Sequence, residues 1–221
     1  PTLSPDGALA CAAVTSFDMA KNDSSTELWL FPTGSHGKSA EKPRRLTSGD
    51  KDSDPRWSPA GDAIAFTAKR KDDDEPQIYL SAPDGGEARR LTTLATGCAA
   101  IKWFPDGRRI AFVSWVWPDL GSATEQARRK QERKDAKVKA HVTERAEFRF
   151  WDHWLTDGRE PHVFVCDIAT GRCRDALAGT GLALPPWEPK ADDFDIAPDG
   201  RELALTADLG PEPRMMNQRD I

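Results

Sequence analysis

Apolar residues along this chain come in short runs, and each run follows a similar turn tetrapeptide. Residues Ser4 to Gly7 read Ser-Pro-Asp-Gly, and variants recur at Ser58 to Gly61, Phe104 to Gly107 and Ala197 to Gly200. In that order Pro presets φ for the second position of a type I turn, Asp bonds nearby backbone, and Gly accepts the left-handed conformation that closes the turn. A few residues after the turn Gly come Ile64, Ala65 and Phe66, then Ile110, Ala111 and Phe112, then Leu203, Ala204 and Leu205. Consecutive apolar or small residues predict strands buried on both faces. The first copy has only Ala10, Cys11 and Ala12 in those places, which predicts a thinner, marginal unit.

A second hairpin follows the first in each unit. Gln77, Ile78, Tyr79 and Leu80 lead through Asp84, Gly85 and Gly86 into Ala88 to Thr92. Likewise Glu27 to Phe31 leads to Pro43 to Thr47, and His162 to Ile168 turns at Thr170 and Gly171 into Cys173 to Leu177. Two hairpins make four strands, the content of one propeller blade. The turn prolines Pro5, Pro59 and Pro105 lie 54 and 46 residues apart, near the roughly 40–50 of propeller repeats. The step from Pro105 to Pro198, 93 residues, holds one hairpin signature and reads as one blade with a long insertion. The fold class expected is all-β: a partial β-propeller of about three four-stranded antiparallel blades plus the start of a fourth. Blade 1 covers about 1–50, blade 2 about 51–95, and blade 3 about 96–180 with its insertion at about 119–150; blade 4 starts at about 190–221.

Within the insertion, Ser122 to Phe148 is rich in Glu, Gln, Ala, Lys and Arg and lacks Gly and Pro, so it is expected to be largely helical. Its apolar stripe is narrow, at Ala127, Ala136, Val138, Ala140 and Val142, as suits a helix lying over the propeller surface. Trp115 and Trp117 precede it; Glu144, Glu147, Arg149, Trp151, Asp152 and Trp154 follow. Large aromatics beside carboxylates and a guanidinium can form a pocket that grips a charged group on an apolar floor. Equally, the tryptophans can staple the insertion to its blade, with Arg149 and Asp152 paired.

The chain has 221 residues, a net charge of −5 and basic residues interleaved with acids, which argues against nucleic-acid binding. No apolar run approaches the roughly 20 residues of a membrane span. Cys11, Cys98, Cys166 and Cys173 lack metal-ligand spacing. Cys166 and Cys173 straddle a turn and are not expected to face each other, so all four read as reduced structural thiols, in keeping with a cytoplasmic location. His36, His141, His153 and His162 form no zinc motif; neither a GxSxG elbow nor a phosphate-binding loop occurs, and no cofactor is expected. His153 next to Asp152 makes a poor base and orienting acid, because adjacent strand residues point to opposite faces.

Together, DSDPRWSPAGDAIAFTA, IYLSAPDGGEARRLT, IKWFPDGRRIAFVS and FRFWDHWLTDGREPHVFVCDIATG resemble the N-terminal propeller of the prolyl oligopeptidase family, in its acylaminoacyl peptidase and dipeptidyl peptidase V-like branch. The resemblance covers nearly the whole chain. It implies a parent serine peptidase whose remaining blades and C-terminal α/β hydrolase domain, with its Ser, Asp, His triad, lie outside this chain. Both ends are accordingly expected to be cuts, and the segment alone to be inactive. The segment would gate access and help bind a peptide N-terminus, with Glu144, Glu147 or Asp152 taking the α-amino group and Trp151 and Trp154 flanking the first side chains. Self-association is compatible with this reading. The alternative is a non-enzymatic TolB-like propeller that binds protein partners. A glycan-processing reading would rest on the acids at Asp72 to Glu75 and Asp192 to Asp195, which are expected instead to be solvated turns.

Overall fold

The structure, a computed structural model, describes residues 1–34, 42–138, 140–144, 148–151 and 153–207. Blade 1 is formed by β1 (Thr2–Leu3), β2 (Leu9–Asp18), β3 (Asp23–Pro32) and β4 (Arg44–Arg45). Blade 2 contains β5 (Asp52–Trp57), β6 (Ile64–Ala68), β7 (Gln77–Ser81) and β8 (Arg89–Arg90). In blade 3, β9 (Ala99–Trp103) and β10 (Arg109–Val116) are followed by the insertion, which carries α1 (Ala123–Asp135) and a small hairpin of β11 (Arg149–Phe150) and β12 (His153–Trp154). The blade is then completed by β13 (Glu160–Asp167) and β14 (Cys173–Asp175), in the order β9-β10-β13-β14. A two-stranded sheet of β15 (Phe194–Ile196) and β16 (Leu203–Leu205) begins the fourth unit. All of these strand pairings are antiparallel.

Turn chemistry sets the repeat. The amide of each turn glycine, Gly7, Gly61, Gly107 and Gly200, donates to the carbonyl three residues back at 2.7–3.0 Å. These glycines have φ of 64–75°, a region costly for residues with a Cβ. In the second copy, where Ala60 replaces Asp, Asp62 takes over and accepts from Ser58 Oγ at 2.7 Å. Successive turns also touch: a Cβ built on Gly61 would lie 3.3 Å from Pro5 Cδ, one on Gly107 3.9 Å from Pro59 Cδ, and one on Gly200 3.8 Å from Pro105 Cδ. The tryptophan before the second and third turns reaches backward, Trp57 Nε1 to the Thr2 carbonyl at 3.3 Å and Trp103 Nε1 to the Arg56 carbonyl at 3.0 Å. Three residues earlier, Asp54 and Ala100 take φ of 49° and 55° where the ladders shift register. The same bulge therefore bends the inner strand of both blades.

Apolar cores lie between the sheets. Every residue of β6 is buried, as are Ile110 to Ser114 of β10, as their unalternating sequences predict. One core joins blades 2 and 3 through Ile78, Ile101, Ile110 and Phe112; another joins blades 1 and 2 through Leu28, Leu30, Ile64 and Phe66. Blade 1 is thin, as its sequence predicts, yet its two middle strands are long. Its β2 and β3 pair over ten residues, although Cys11 is the only fully buried residue of β2. In the fourth unit Leu203 and Leu205 stay half-buried, since β15 is the only strand paired with β16 among the described residues.

Two expectations are corrected. The helix ends at Asp135 instead of continuing toward Phe148. Beyond it Val138 and Val142 are 76% and 92% exposed, so the β-branched positions find no surface to pack on and disfavour continuing the helix. Cys166 and Cys173, expected not to face each other, are direct cross-strand partners in the β13–β14 hairpin. The turn through Thr170 and Gly171 sets that register: Asp167 N–H donates to the Arg172 carbonyl, and Gly171 N–H to the Asp167 carbonyl.

Candidate functional site

A cavity of about 280 Å³ lies where the loops of blades 2 and 3 meet the insertion. Glu75 and Pro76 border it from blade 2, Thr96 to Ala99 from the loop entering blade 3, Val113 to Trp115 from β10, and Trp154 and Arg159 from the insertion's return. Its side chains are held from behind. Arg159 Nε pairs with Asp157 Oδ2 at 2.7 Å, which fixes the guanidinium plane. Thr96 and Ser114 hydroxyls bond at 2.7 Å, and Ser114 Oγ also donates to the Gly97 carbonyl at 2.7 Å. Trp154 stacks on His141 at 4.1 Å, with Phe148 at 5.8 Å and the Arg149 guanidinium at 5.6 Å from its ring.

Polar anchors place α1 beside this cavity. Ser122 caps the helix through a 3.2 Å bond from Glu125 N–H. Buried Gln126 bonds both backbone groups of Trp117: its Oε1 accepts from the N–H at 3.0 Å and its Nε2 donates to the carbonyl at 2.8 Å. Lys130 pairs with Glu75 at 2.7 Å, Lys134 with Asp74 at 3.1 Å and Arg129 with Asp119 at 3.0 Å. The Asp74 carboxyl is held below its ordinary pKa by its hydrogen bond to Lys134 and that residue's charge. The acidic run Asp72 to Glu75 is thus more than a solvated turn: Asp73 is buried, accepts from Tyr79 Oη at 2.8 Å and pairs with Arg90 at 2.6 Å.

The structure divides the anticipated aromatic margin between two jobs. Trp117 is buried, donates to the Asp157 carbonyl at 3.2 Å and has Arg129, Arg133 and Arg159 about its ring, so it fastens the insertion. Trp115 and Trp154 instead line the cavity. Arg149 lies over Trp154, while Trp151 sits at the β11–β12 bend with φ of 48° and is 78% exposed. Glu144 is exposed; Glu147 and Asp152 lie outside the described residues. The charged groups on the cavity wall are Glu75, met in the sequence only within an acidic run expected to be a solvated turn, and Arg159, which no motif singled out. Glu75 was hidden in an acidic loop of another blade, and Arg159 follows Gly158, whose turn over Trp117 gave no sequence signal of its own. Two indole faces with a guanidinium, a carboxylate and hydroxyls suit a short peptide segment, apolar side chains against the rings and a polar end against the charges.

Repeated four-stranded antiparallel blades with shared turn geometry define a β-propeller region. No family model matches the chain. It is 28% identical over 212 residues to the uncharacterized peptidase YuxL of Bacillus subtilis, covering 95% of this chain and 29% of that protein. It is 27% identical to dipeptidyl-peptidase 5 of Porphyromonas endodontalis, covering 93% of this chain and 28% of that protein. Among solved structures, acylaminoacyl peptidase of Pyrococcus horikoshii superposes with a TM-score of 0.54 at 16% identity, over 76% of this chain and 24% of that one, a likeness in fold alone. The chain therefore spans less than a third of these two relatives, and it is a β-propeller region that is similar over nearly its whole length to proteins named as peptidases, in line with its resemblance to the prolyl oligopeptidase family. No helix among the described residues is long and apolar enough to cross a membrane.

Proposed function

We propose that this chain is the gating and substrate-binding propeller segment of a serine exopeptidase that removes acylated residues or dipeptides from peptide N-termini. The observation that carries this reading is the match to two peptidases over nearly all of this chain and less than a third of theirs. In this proposal the chemistry is acyl transfer through a serine, with a histidine as general base and an oxyanion hole, supplied by an α/β hydrolase domain of the same parent protein. The propeller's part is selection. Trp115 and Trp154 receive the first side chains, Arg159 a backbone carbonyl, and Glu144, Glu147 or Asp152 the free α-amino group where one is present; Arg149 and Trp151 border the entry.

The test uses the full-length protein and a fluorophosphonate probe, with labelling competed by a free-amino dipeptide substrate and by its N-acetyl form. Labelling of one serine outside this segment is expected. Trp154→Ala is expected to raise KM at least tenfold with kcat little changed, the mark of lost ground-state binding. No labelled serine, or a Trp154→Ala enzyme with unchanged KM, would overturn the proposal.

A further inference from the structure

Cys166 and Cys173 stand directly opposite each other across the β13–β14 hairpin. Ladder bonds run from Asp167 N–H to the Arg172 carbonyl at 3.0 Å and from Ala176 N–H to the Val163 carbonyl at 2.9 Å. Both fall on the alternate positions of the register, which leaves the cysteines as a non-hydrogen-bonded pair. In such pairs Cα atoms approach to about 4.5 Å and side chains are closest. Disulfides span Cα separations of roughly 4.4–6.8 Å, so the backbone as folded is already within range. The neighbouring Cys173 thiol and burial both raise the Cys166 pKa, while each sulfur rests on a turn carbonyl, Cys166 Sγ on Asp167 at 3.7 Å and Cys173 Sγ on Gly171 at 3.6 Å. Cys166 is buried and Cys173 half-buried, so Cys173 is the more accessible of the two. Arg89 of blade 2 lies close, its guanidinium on the Ile168 carbonyl at 3.2 Å, and its charge offsets a small part of the rise in the Cys166 pKa.

We infer that Cys166 and Cys173 are an oxidative modification site, closed to a disulfide by exchange with a low-molecular-weight disulfide. Cys173 attacks the reagent's S–S bond, forming a mixed disulfide and releasing one thiol that carries away the Cys173 proton. Cys166 then attacks the Cys173 sulfur, the protein disulfide forms, and the second thiol leaves with the Cys166 proton. The reagent's disulfide is reduced by two electrons and the two cysteines are oxidised by two. Cys98 is the competing partner, since it shares a core with Cys166, but its sulfur is engaged by Thr92 Oγ1 at 3.3 Å.

The full-length protein is exposed to oxidised glutathione, quenched with an alkylating agent and mapped by mass spectrometry. The expected product has lost the mass of two hydrogen atoms, yields a linked Cys166–Cys173 peptide and reverts with dithiothreitol. Cys98→Ser is expected to retain that link and Cys173→Ser to abolish it. A Cys98–Cys166 link, a persistent glutathione adduct on Cys173, or full alkylation of both cysteines would each overturn the inference. The wild-type map decides by itself, so a variant that fails to fold leaves the test intact.

Discussion

Replacing Asp175 with asparagine removes the nearest charge from a buried imidazole. His162 is 3% exposed, with Nδ1 at 2.7 Å from Asp175 Oδ2 and Nε2 at 3.8 Å from Glu160 Oε2. Burial opposes its charge, but the hydrogen bond to Asp175 and the negative charges of Asp175 and Glu160 outweigh it and raise the pKa from 6.5 to about 9. Because the folded value lies above the unfolded one, the stabilisation is fully present below pH 6.5, declines from there to pH 9 and is lost above it. The gap corresponds to about 3 kcal/mol, of which Asp175 supplies the larger share, about 2 kcal/mol. In Asp175→Asn the amide oxygen would still accept the Leu177 N–H bond that Asp175 Oδ1 now holds at 2.8 Å. Amide hydrogen exchange of Glu160–Asp167, followed by mass spectrometry, reads local opening without assuming that the whole protein unfolds in one step. At pH 6 the variant is expected to open roughly thirtyfold more often than wild type. At pH 10, with His162 neutral in both, the difference should fall below about threefold. An equal difference at both pH values would show that His162 is uncharged in the folded blade.

Two further outcomes follow from the blade geometry. Gly61→Ala forces a Cβ onto a residue at φ 75° and to 3.3 Å from Pro5 Cδ, and is expected to destabilise blades 1 and 2 by about 1–3 kcal/mol, read as a lower midpoint in urea. Gln126→Leu removes the partner of the Trp117 N–H and one of the two donors to its carbonyl, which keeps the Leu120 N–H; the unpaired N–H costs about 1–3 kcal/mol, so trypsin should cut at Arg128, Arg129 and Arg133 well before any blade is cleaved.

The blades were legible because their signals are local. A turn glycine with positive φ and an unalternating apolar strand each carry their own reason, and Gly61 with Ile64 to Phe66 needs no knowledge of the rest of the chain. The end of α1 was not legible, because helix-favouring composition continues past Asp135 while the surface that Val138 and Val142 would need is absent. Cys166 and Cys173 were misread because facing depends on the turn's residue count, which sets register, and a change of one residue there reverses which side chains meet. For the candidate site, the aromatic half was visible as clustered tryptophans. The charged half, Glu75 and Arg159, comes from segments more than eighty residues apart in sequence, and only blade packing brings them to one wall.

Glu75 belongs to two structures at once, the cavity wall and the seat of α1, where Lys130 balances its charge. Three ion pairs with partly exposed members hold that helix, and such pairs weaken as ionic strength rises. The electrostatic character of the cavity is therefore tied to the helix's position: with α1 seated a ligand meets a neutralised carboxylate, and with α1 lifted it meets a bare anion. On the proposed peptide-binding reading, salt concentration thereby becomes a variable that acts on binding through a segment outside the cavity lining.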